Sequence, residues 1–145
     1  MDSLDEKIIR LLEKDARASS ETLSHKLNTS PATVRRRIKN LVGTGVLRLV
    51  ALIDPHKANL PIVCGIRLNV DHGKLEMAAS RLASYSEVKW IATVTGPFEI
   101  FVTAAFRSTT EMSDFVQDKL AKIEGLRGTE TFICLNVRKG RYIRL

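Results

Sequence analysis

A dense cluster of cations on one short segment is the feature of this sequence best suited to chemistry with a partner. Between Arg35 and Arg48 the chain carries five basic residues and no acidic one, and four of the five fall within RRRIK. Arginine can donate two parallel hydrogen bonds to guanine and lysine can meet a phosphate, so a helix carrying them suits the major groove of DNA. A solvated basic face would give the same pattern, and this segment alone leaves both interpretations open.

The residues around the cluster predict a helix-turn-helix over residues 21–42 (ETLSHKLNTSPATVRRRIKNLV). Ser30 is a good N-cap and Pro31 is favoured in a first helical turn. Val34, Ile38 and Leu41 then follow i, i+4, i+7 spacing and form one apolar stripe. The other side of the helix is small and cationic. We predict DNA contacts for Ser30, Ala32, Thr33, Arg35, Arg36, Arg37, Lys39 and Asn40, and for Arg48 beyond the helix.

Flanking segments complete an N-terminal domain over residues 1–53. Residues 2–14 have helical apolar spacing and predict a first amphipathic helix. Residues 46–53 (VLRLVALI) predict a strand that ends at a turn signal, Asp54-Pro55. Three helices followed by a strand indicate a winged helix-turn-helix. Residues 54–61 (DPHKANLP) predict a linker.

Residues 62–145 change period and predict an α+β domain. Alternating apolar residues indicate strands over 62–70, 88–94, 98–106 and 129–137, and helical spacing indicates helices over 75–82 and 112–123. The order βαββαβ is the ferredoxin-like arrangement, with two helices on one face of an antiparallel sheet.

The face of that sheet away from the helices is predicted to be apolar at its centre, although an uncovered face should be polar. Its predicted members are Val63, Gly65, Ile91, Phe101, Ala105, Phe132 and Cys134. An exposed apolar area of this kind marks an interface. We therefore expect two sheets to stack in a homodimer. Cover by the chain's own tail (KGRYIRL) or by its N-terminal domain is less favoured, because that tail is short and charged.

Composition narrows the class of protein. The net charge of +7 favours an anionic partner. We expect no membrane association, because no apolar run approaches the roughly 20 residues that a spanning helix needs and the N-terminus lacks the apolar centre of a signal peptide. Cys64 and Cys134 fall in apolar strand-like runs and are expected to be small core residues in a reducing cytoplasm.

Four stretches together resemble the Lrp/AsnC (feast/famine) transcriptional regulators over nearly the whole chain: LDEKIIRLLEKDAR, the helix-turn-helix unit ending in GTGVL, TGPFEIFV and GLRGTETFICLNV. The resemblance implies a sequence-specific regulator that binds double-stranded DNA, forms dimers and usually octamers, and responds to an amino acid or related metabolite. No other cofactor is implied.

In that family the effector lies between subunits near the loop joining the second and third strands. The resemblance places the site here at Thr95, Gly96, Pro97, Phe98 and Glu99, with hydroxyl contacts from Thr129 and Thr131. Backbone N–H groups near Gly96 could hold a carboxylate, and Glu99 could accept an amino group. Many family members have aspartate at the position of Glu99 and lack Pro97. A plain hairpin turn with an exposed glutamate is the alternative.

No catalytic or metal site is predicted. His25, His56 and His72 lie in separate segments, no pair of them has metal-ligand spacing, and no nucleophile or phosphate-loop motif is present. Two alternatives remain: an architectural DNA-binding protein without an effector, and an enzyme related to haem-pathway decarboxylases, which share this layout.

Overall fold

The computed structural model describes residues 1–140, 143 and 144 of the chain. These divide into two units, Met1–Val50 and Ala51–Leu145. Three residues of the basic tail, Arg141, Tyr142 and Leu145, lie outside the described residues.

The first unit is the predicted bundle of three helices: α1 (Ser3–Lys14), α2 (Ser20–Leu27) and α3 (Pro31–Gly43). Each helix contributes its apolar stripe to one small core, which removes these side chains from water. The buried members are Ile8, Leu12, Leu23, Val34 and Leu41.

Local capping chemistry sets where these helices begin and end. The side chain of Ser19 accepts a hydrogen bond from the Thr22 N–H at 3.1 Å, and this caps α2. Helix α2 ends at Asn28, which adopts the left-handed conformation (φ 49°) that asparagine tolerates better than most residues. Two residues later Ser30 caps α3 by accepting from the Thr33 N–H, also at 3.1 Å. The turn and the start of the cationic helix therefore follow directly from the residues Asn28 to Pro31.

The strand predicted over residues 46–53 is wrong. Of residues 46–53 only Ile53 forms a β-bridge, and its partner is Ile143, through backbone hydrogen bonds of 2.9 and 3.0 Å. A strand needs a neighbouring strand to pair its N–H and C=O groups. No strand among the described residues pairs with residues 46–52, and the Leu47 N–H instead bonds back to the Leu41 carbonyl of α3 at 3.0 Å. The β-forming side chains are present, but the wing strand is not formed within this chain.

The second unit confirms the predicted βαββαβ order. Its strands are β1 (Ile62–Val70), β2 (Val88–Thr93), β3 (Ile100–Phe106) and β4 (Leu126–Ile133), and its helices are α4 (Leu75–Ala83) and α5 (Thr109–Asp114). The strands pair antiparallel in the order β2-β3-β1-β4. Helices cover one face of the sheet over a core that includes Cys64, Ile66, Leu68, Val102, Phe106 and Phe115.

Two elements differ most from the predicted boundaries. The second helix was predicted to continue to residue 123, but after α5 the chain forms a π-helical turn (Phe115–Lys119) and a 3₁₀ turn (Leu120–Lys122). The fourth strand ends at Ile133 rather than at residue 137. Cys134 therefore lies beyond the strand and is exposed, and its predicted place as a core residue is wrong, whereas Cys64 is buried as predicted.

We call the sheet face away from the helices the open face. The residues that β2 contributes to it are not the predicted ones. Ile91 packs against the helix-covered core, and Trp90 and Ala92 take its place on the open face beside Thr103 and Phe101. The cause is a register shift between Val88 and Trp90, because one extra residue in a strand reverses the side to which later residues point.

Candidate nucleic-acid interface and effector pocket

Helix α3 turns its cationic side to solvent, as its apolar stripe requires. Val34 and Leu41 are buried in the first core, and Ile38 is partly buried beside them. Most of the predicted DNA contacts are exposed. They are the N-cap Ser30 and, on the helix itself, Ala32, Arg35, Arg36, Lys39 and Asn40. Thr33 is partly buried, and its hydroxyl lies 2.9 Å from the Ser30 hydroxyl.

The exposed cations of α3 are little engaged by acids of their own chain. Arg36 and Lys39 have no ion pair among the described residues, and Arg35 meets Glu21 at 3.5 Å with both side chains more than half exposed. An exposed pair at that distance contributes about 1 kcal/mol or less. Beside them lies an apolar groove of about 490 Å³, lined by Ser20, Arg35, Ile38, Lys39, Val42 and Gly43. These cations can therefore pair with an anionic partner without first breaking a strong ion pair of their own chain.

Arg37 is held differently from its neighbours. Its Nη1 donates to Asp2 Oδ2 at 2.7 Å and to Asp5 Oδ1 at 2.9 Å, and only 23% of its side chain is exposed. The hydrogen bonds that Arg37 donates to Asp5 and then to Asp2 raise the pKa of Arg37, and the bond from Arg37 is the largest cause that lowers the pKa of Asp5. The sequence placed Arg37 among the DNA contacts, but the structure directs it toward the first turn of α1.

Arg48 is exposed, but the wing strand expected to carry it is absent. Around it Val46, Leu49, Val50 and Leu52 are each about half exposed. An apolar stretch of that kind with no covering partner among the described residues is unusual for a chain segment in water.

The loop predicted to bind an effector lies at the end of the sheet where β1 stops. Thr95, Gly96 and Pro97 are exposed, and Gly96 has a φ of 131°, a region that side chains disfavour. The Asn69 side-chain amide donates to the Pro97 carbonyl at 2.7 Å and fixes the loop to β1. Phe98 is partly buried on the open face, with its ring centroid 6.3 Å from that of Phe101.

Glu99 is not an exposed turn glutamate, because only 17% of its side chain is accessible. Its Oε2 accepts from the Val70 N–H at 2.9 Å and its Oε1 accepts from Arg127 Nη2 at 3.3 Å. The Val70 hydrogen bond, together with the positive charge of Arg127, lowers the pKa of Glu99, although burial opposes this. The carboxylate is therefore ionised at neutral pH and already joins three strands.

Arg127 is the residue of this region that the sequence did not single out. Besides Glu99, it bonds the Val70 carbonyl at 3.3 Å and pairs with Asp71 at 3.4 Å. It also lines a groove of about 360 Å³ between β4 and the π-helical turn, and Thr129 lines the same groove. Thr129 and Thr131 pair with Leu68 and Ile66 and lie on the helix-covered side of the sheet. Arg127 thus connects the predicted loop to the predicted threonine strand.

No metal site is found in the described part of the chain, and the buried thiol of Cys64 is unreactive. Among the described residues no three His, Cys, Asp or Glu side chains are grouped closely enough to hold a metal ion. Burial raises the pKa of the Cys64 thiol to about 11, so it is not a nucleophile at neutral pH. No helix in the described part of the chain is long and apolar enough to cross a membrane.

Comparison with known proteins gives two matches to family models. A model described as the AsnC-type helix-turn-helix domain matches residues 1–42, and one described as the Lrp/AsnC ligand binding domain matches residues 63–143. Together the two matches span almost all of the first unit's three helices and almost all of the second unit's sheet and helices.

Whole-chain relatives agree with these matches. An uncharacterized HTH-type transcriptional regulator of Pyrococcus abyssi is 38% identical over all of this chain and 92% of its own length. The HTH-type transcriptional regulator FL11 of Pyrococcus furiosus is 31% identical over 96% of this chain and 92% of its own.

Solved structures agree in fold. The transcriptional regulator NMB0573 of Neisseria meningitidis, crystallised as an L-Met complex, superposes with a TM-score of 0.90 at 26% identity, covering 97% of this chain and 93% of that one. AsnC of E. coli superposes with a TM-score of 0.87 at 24% identity, covering 95% and 94%.

Proposed function

The chain belongs to the Lrp/AsnC family of transcriptional regulators, and from that premise we propose that α3 is the helix that reads its operator. Family membership makes the protein a regulator with a DNA-binding and a ligand-binding domain, and removes the haem-pathway enzyme from consideration. We place it in the cytoplasm, with the DNA that it binds. Which residues read the DNA, how the chains assemble and what effector they take are proposals.

The observation that carries the DNA-reading proposal is the free cationic side of α3. Arg36 and Lys39 are exposed, have no acidic partner among the described residues and stand beside the small side chain of Ala32. A small residue lets a helix approach the base edges, a guanidinium can pair with guanine, and a lysine can meet phosphate. We assign base or phosphate contacts to Thr33, Arg35, Arg36 and Lys39, and a contact with the DNA backbone to Arg48. Arg37 is left outside this surface.

The test compares Arg36→Ala with Arg10→Ala, an exposed arginine on α1 that serves as the matched control. Both proteins are titrated against an operator fragment and a scrambled fragment of equal length. Loss of a bidentate base contact costs about 1–3 kcal/mol of discrimination, so Arg36→Ala should lose about 5- to 150-fold of the wild-type preference for the operator. Arg10→Ala should keep the wild-type preference. If Arg36→Ala still discriminates as wild type does, Arg36 does not read a base.

A homodimer is proposed from the open face. Trp90 and Phe132 are about half exposed there, and Phe101 lies 6.1 Å from Trp90 between ring centroids. Arg67 covers part of this face, with its guanidinium 4.5 Å from the Phe132 ring and 3.4 Å from Glu130. Aromatic and arginine side chains are enriched at protein interfaces. Two open faces stacked about a two-fold axis would present two α3 helices to a palindromic site, and further association would give the octamer expected of the family.

An amino-acid-like effector is proposed at the sheet end formed by the loop 95–99, Arg127 and Thr129. The structural relative from Neisseria meningitidis was crystallised with L-Met. In this chain Arg127 and the backbone near Gly96 offer donors to a carboxylate, and Glu99 offers an acceptor to an ammonium group. A ligand bound differently by two assembly states would shift DNA affinity.

The effector is tested by adding amino acids one at a time and following thermal stability of wild type and Arg127→Ala. A ligand that binds only the folded protein raises its melting temperature. We expect one chemical group of amino acids to stabilise wild type and not Arg127→Ala. Equal shifts in both proteins would place the ligand elsewhere, and no shift with any amino acid would favour a regulator without this effector class.

A further inference from the structure

Arg37 and two carboxylates form one hydrogen-bonded network in the first unit. Arg37 Nη1 lies 2.7 Å from Asp2 Oδ2 and 2.9 Å from Asp5 Oδ1. Only 12% of the Asp5 side chain and 23% of the Arg37 side chain are exposed, whereas the Arg35 side chain is 65% exposed. Neighbouring arginines of the same helix are therefore in different environments.

Each carboxylate divides its two oxygens between two helices. Asp2 Oδ1 accepts from the Leu4 and Asp5 N–H groups at 3.0 Å, which caps α1, and Asp2 Oδ2 is left for Arg37. Asp5 Oδ2 accepts from the Asp2 N–H at 3.1 Å, which closes the capping box, and Asp5 Oδ1 is left for Arg37. The start of α1 and the middle of α3 are thus joined through the same two side chains.

The network cannot lose one member without consequence. Arg37 Nε is buried and has no hydrogen-bond partner in the described part of the chain. Removing a carboxylate would leave a partly buried guanidinium with too few acceptors, a situation far more costly than loss of an exposed pair. Movement of α3 relative to α1 would let more water reach the guanidinium.

We propose that Arg37 is a positioning residue for DNA reading: by holding Asp2 and Asp5, it sets the rotation of α3 on α1 and hence the direction of Arg36 and Lys39. This inference rests on the proposed function, in which α3 reads DNA. It assigns Arg37 no contact with phosphate or base. It also gives Asp2 a part in operator recognition.

The experiment is a double-mutant cycle on operator binding, measured over a salt series. The variants are Arg37→Met, which keeps the apolar stem, Asp5→Asn, the double variant, and Asp5→Glu, which keeps the charge and suits a capping box. Circular dichroism first establishes that each protein is folded at the temperature of measurement. Arg36→Ala is measured in parallel as the reference for a direct contact.

Each single variant should weaken operator binding by about tenfold, and the double variant by no more than either single one, because both remove the same network. The slope of log affinity against log salt should equal that of wild type, since no phosphate contact is lost. Asp5→Glu should bind as wild type does. If Arg37→Met or Asp5→Asn is unfolded, Asp2→Asn takes its place with the same expected outcome.

Three results would overturn the inference. A salt slope reduced by about one in Arg37→Met would mean that Arg37 contacts phosphate directly. Full affinity in Asp5→Asn, or in Asp2→Asn where that variant is used, would separate the carboxylates from DNA reading. If the losses of operator affinity in the two single variants add in the double variant, Arg37 and Asp5 act on DNA binding independently. The proposed function fails separately if wild type binds operator and scrambled DNA with equal affinity, and the inference then fails with it.

Discussion

Gly65 and Phe101 are so close on the open face that a Cβ added to Gly65 would lie 3.0 Å from Phe101 Cζ. The ring lies directly over the glycine, so Gly65 gives the open face a flat aromatic surface. In a free monomer the ring could shift outward, but in a stacked dimer a second sheet would stop it.

We therefore predict that Gly65→Ala weakens the dimer and leaves the monomer fold largely intact. Overpacking a filled interface costs about 1–3 kcal/mol, and this should appear as a higher dissociation constant in sedimentation equilibrium. Gly73→Ala is the matched control, because Gly73 lies in the turn His72–Lys74 outside the sheet and a Cβ there would meet nothing within 4 Å. Equal dimer affinity in both variants would place the interface away from Phe101.

Trp90 is the one tryptophan of the sequence and gives a direct signal from the open face. Its side chain is 52% exposed in the single chain. If the open faces stack, dilution should shift the Trp90 emission to longer wavelength as the indole meets water. The measurement is an emission spectrum over a concentration series, compared with sedimentation data. An emission maximum that stays constant while the oligomer dissociates would argue against stacking through this face.

The bond between Glu99 and the Val70 N–H predicts a particular dependence of stability on pH. Because the pKa of Glu99 is lowered in the folded protein, its contribution is complete above the ordinary glutamate pKa of 4.5 and is lost as pH falls through the lowered value. Glu99→Gln should thus melt at a lower temperature than wild type at pH 7, and the difference should shrink in acid. Unfolding of the second unit can be followed by the fluorescence of Trp90, because Trp90 is the one tryptophan of the sequence and lies in that unit.

Glu76→Gln, an exposed change on α4 of the same unit, is the control and should melt as wild type does at both pH values. A difference between Glu99→Gln and wild type that persists unchanged in acid would show that the charge of Glu99 is not its source.

The two cysteines should react very differently. Cys134 is exposed, whereas Cys64 is buried with its pKa raised to about 11 by that burial. Since the thiolate is the reactive species, iodoacetamide at pH 7.5 should label Cys134 and leave Cys64 unmodified until the protein is unfolded. Mass spectrometry of wild type and Cys134→Ser checks this. Labelling of folded Cys134→Ser would contradict the burial of Cys64.

Local signals predicted some elements well and others poorly. The start of α3 could be predicted because Ser30, Pro31 and the stripe from Val34 to Leu41 all indicate the same helix. The strand over residues 46–53 could not, because β-forming side chains do not supply a pairing partner. The side on which Ile91 lies depends on a register shift near Lys89 that no residue pattern announces.

The candidate effector site shows why contacts distant in sequence are harder to predict. Glu99 meets Val70 and Arg127, which are 29 and 28 residues away, and these meetings follow from the pairing of β1 with β3 and β4. Arg37 is similar: its helix position placed it near the buried edge, but its partners Asp2 and Asp5 are 35 and 32 residues away.

The central claim, that α3 makes this protein a cation-driven and sequence-specific DNA reader, is tested most directly by DNA binding across a salt series. Genomic fragments, including the one upstream of the protein's own gene, are compared at each salt concentration. We expect selective retention of one fragment, with affinity that falls steeply as salt rises. Weak and uniform binding to every fragment would contradict specific reading and indicate an architectural role, and absence of binding would contradict the assignment of α3.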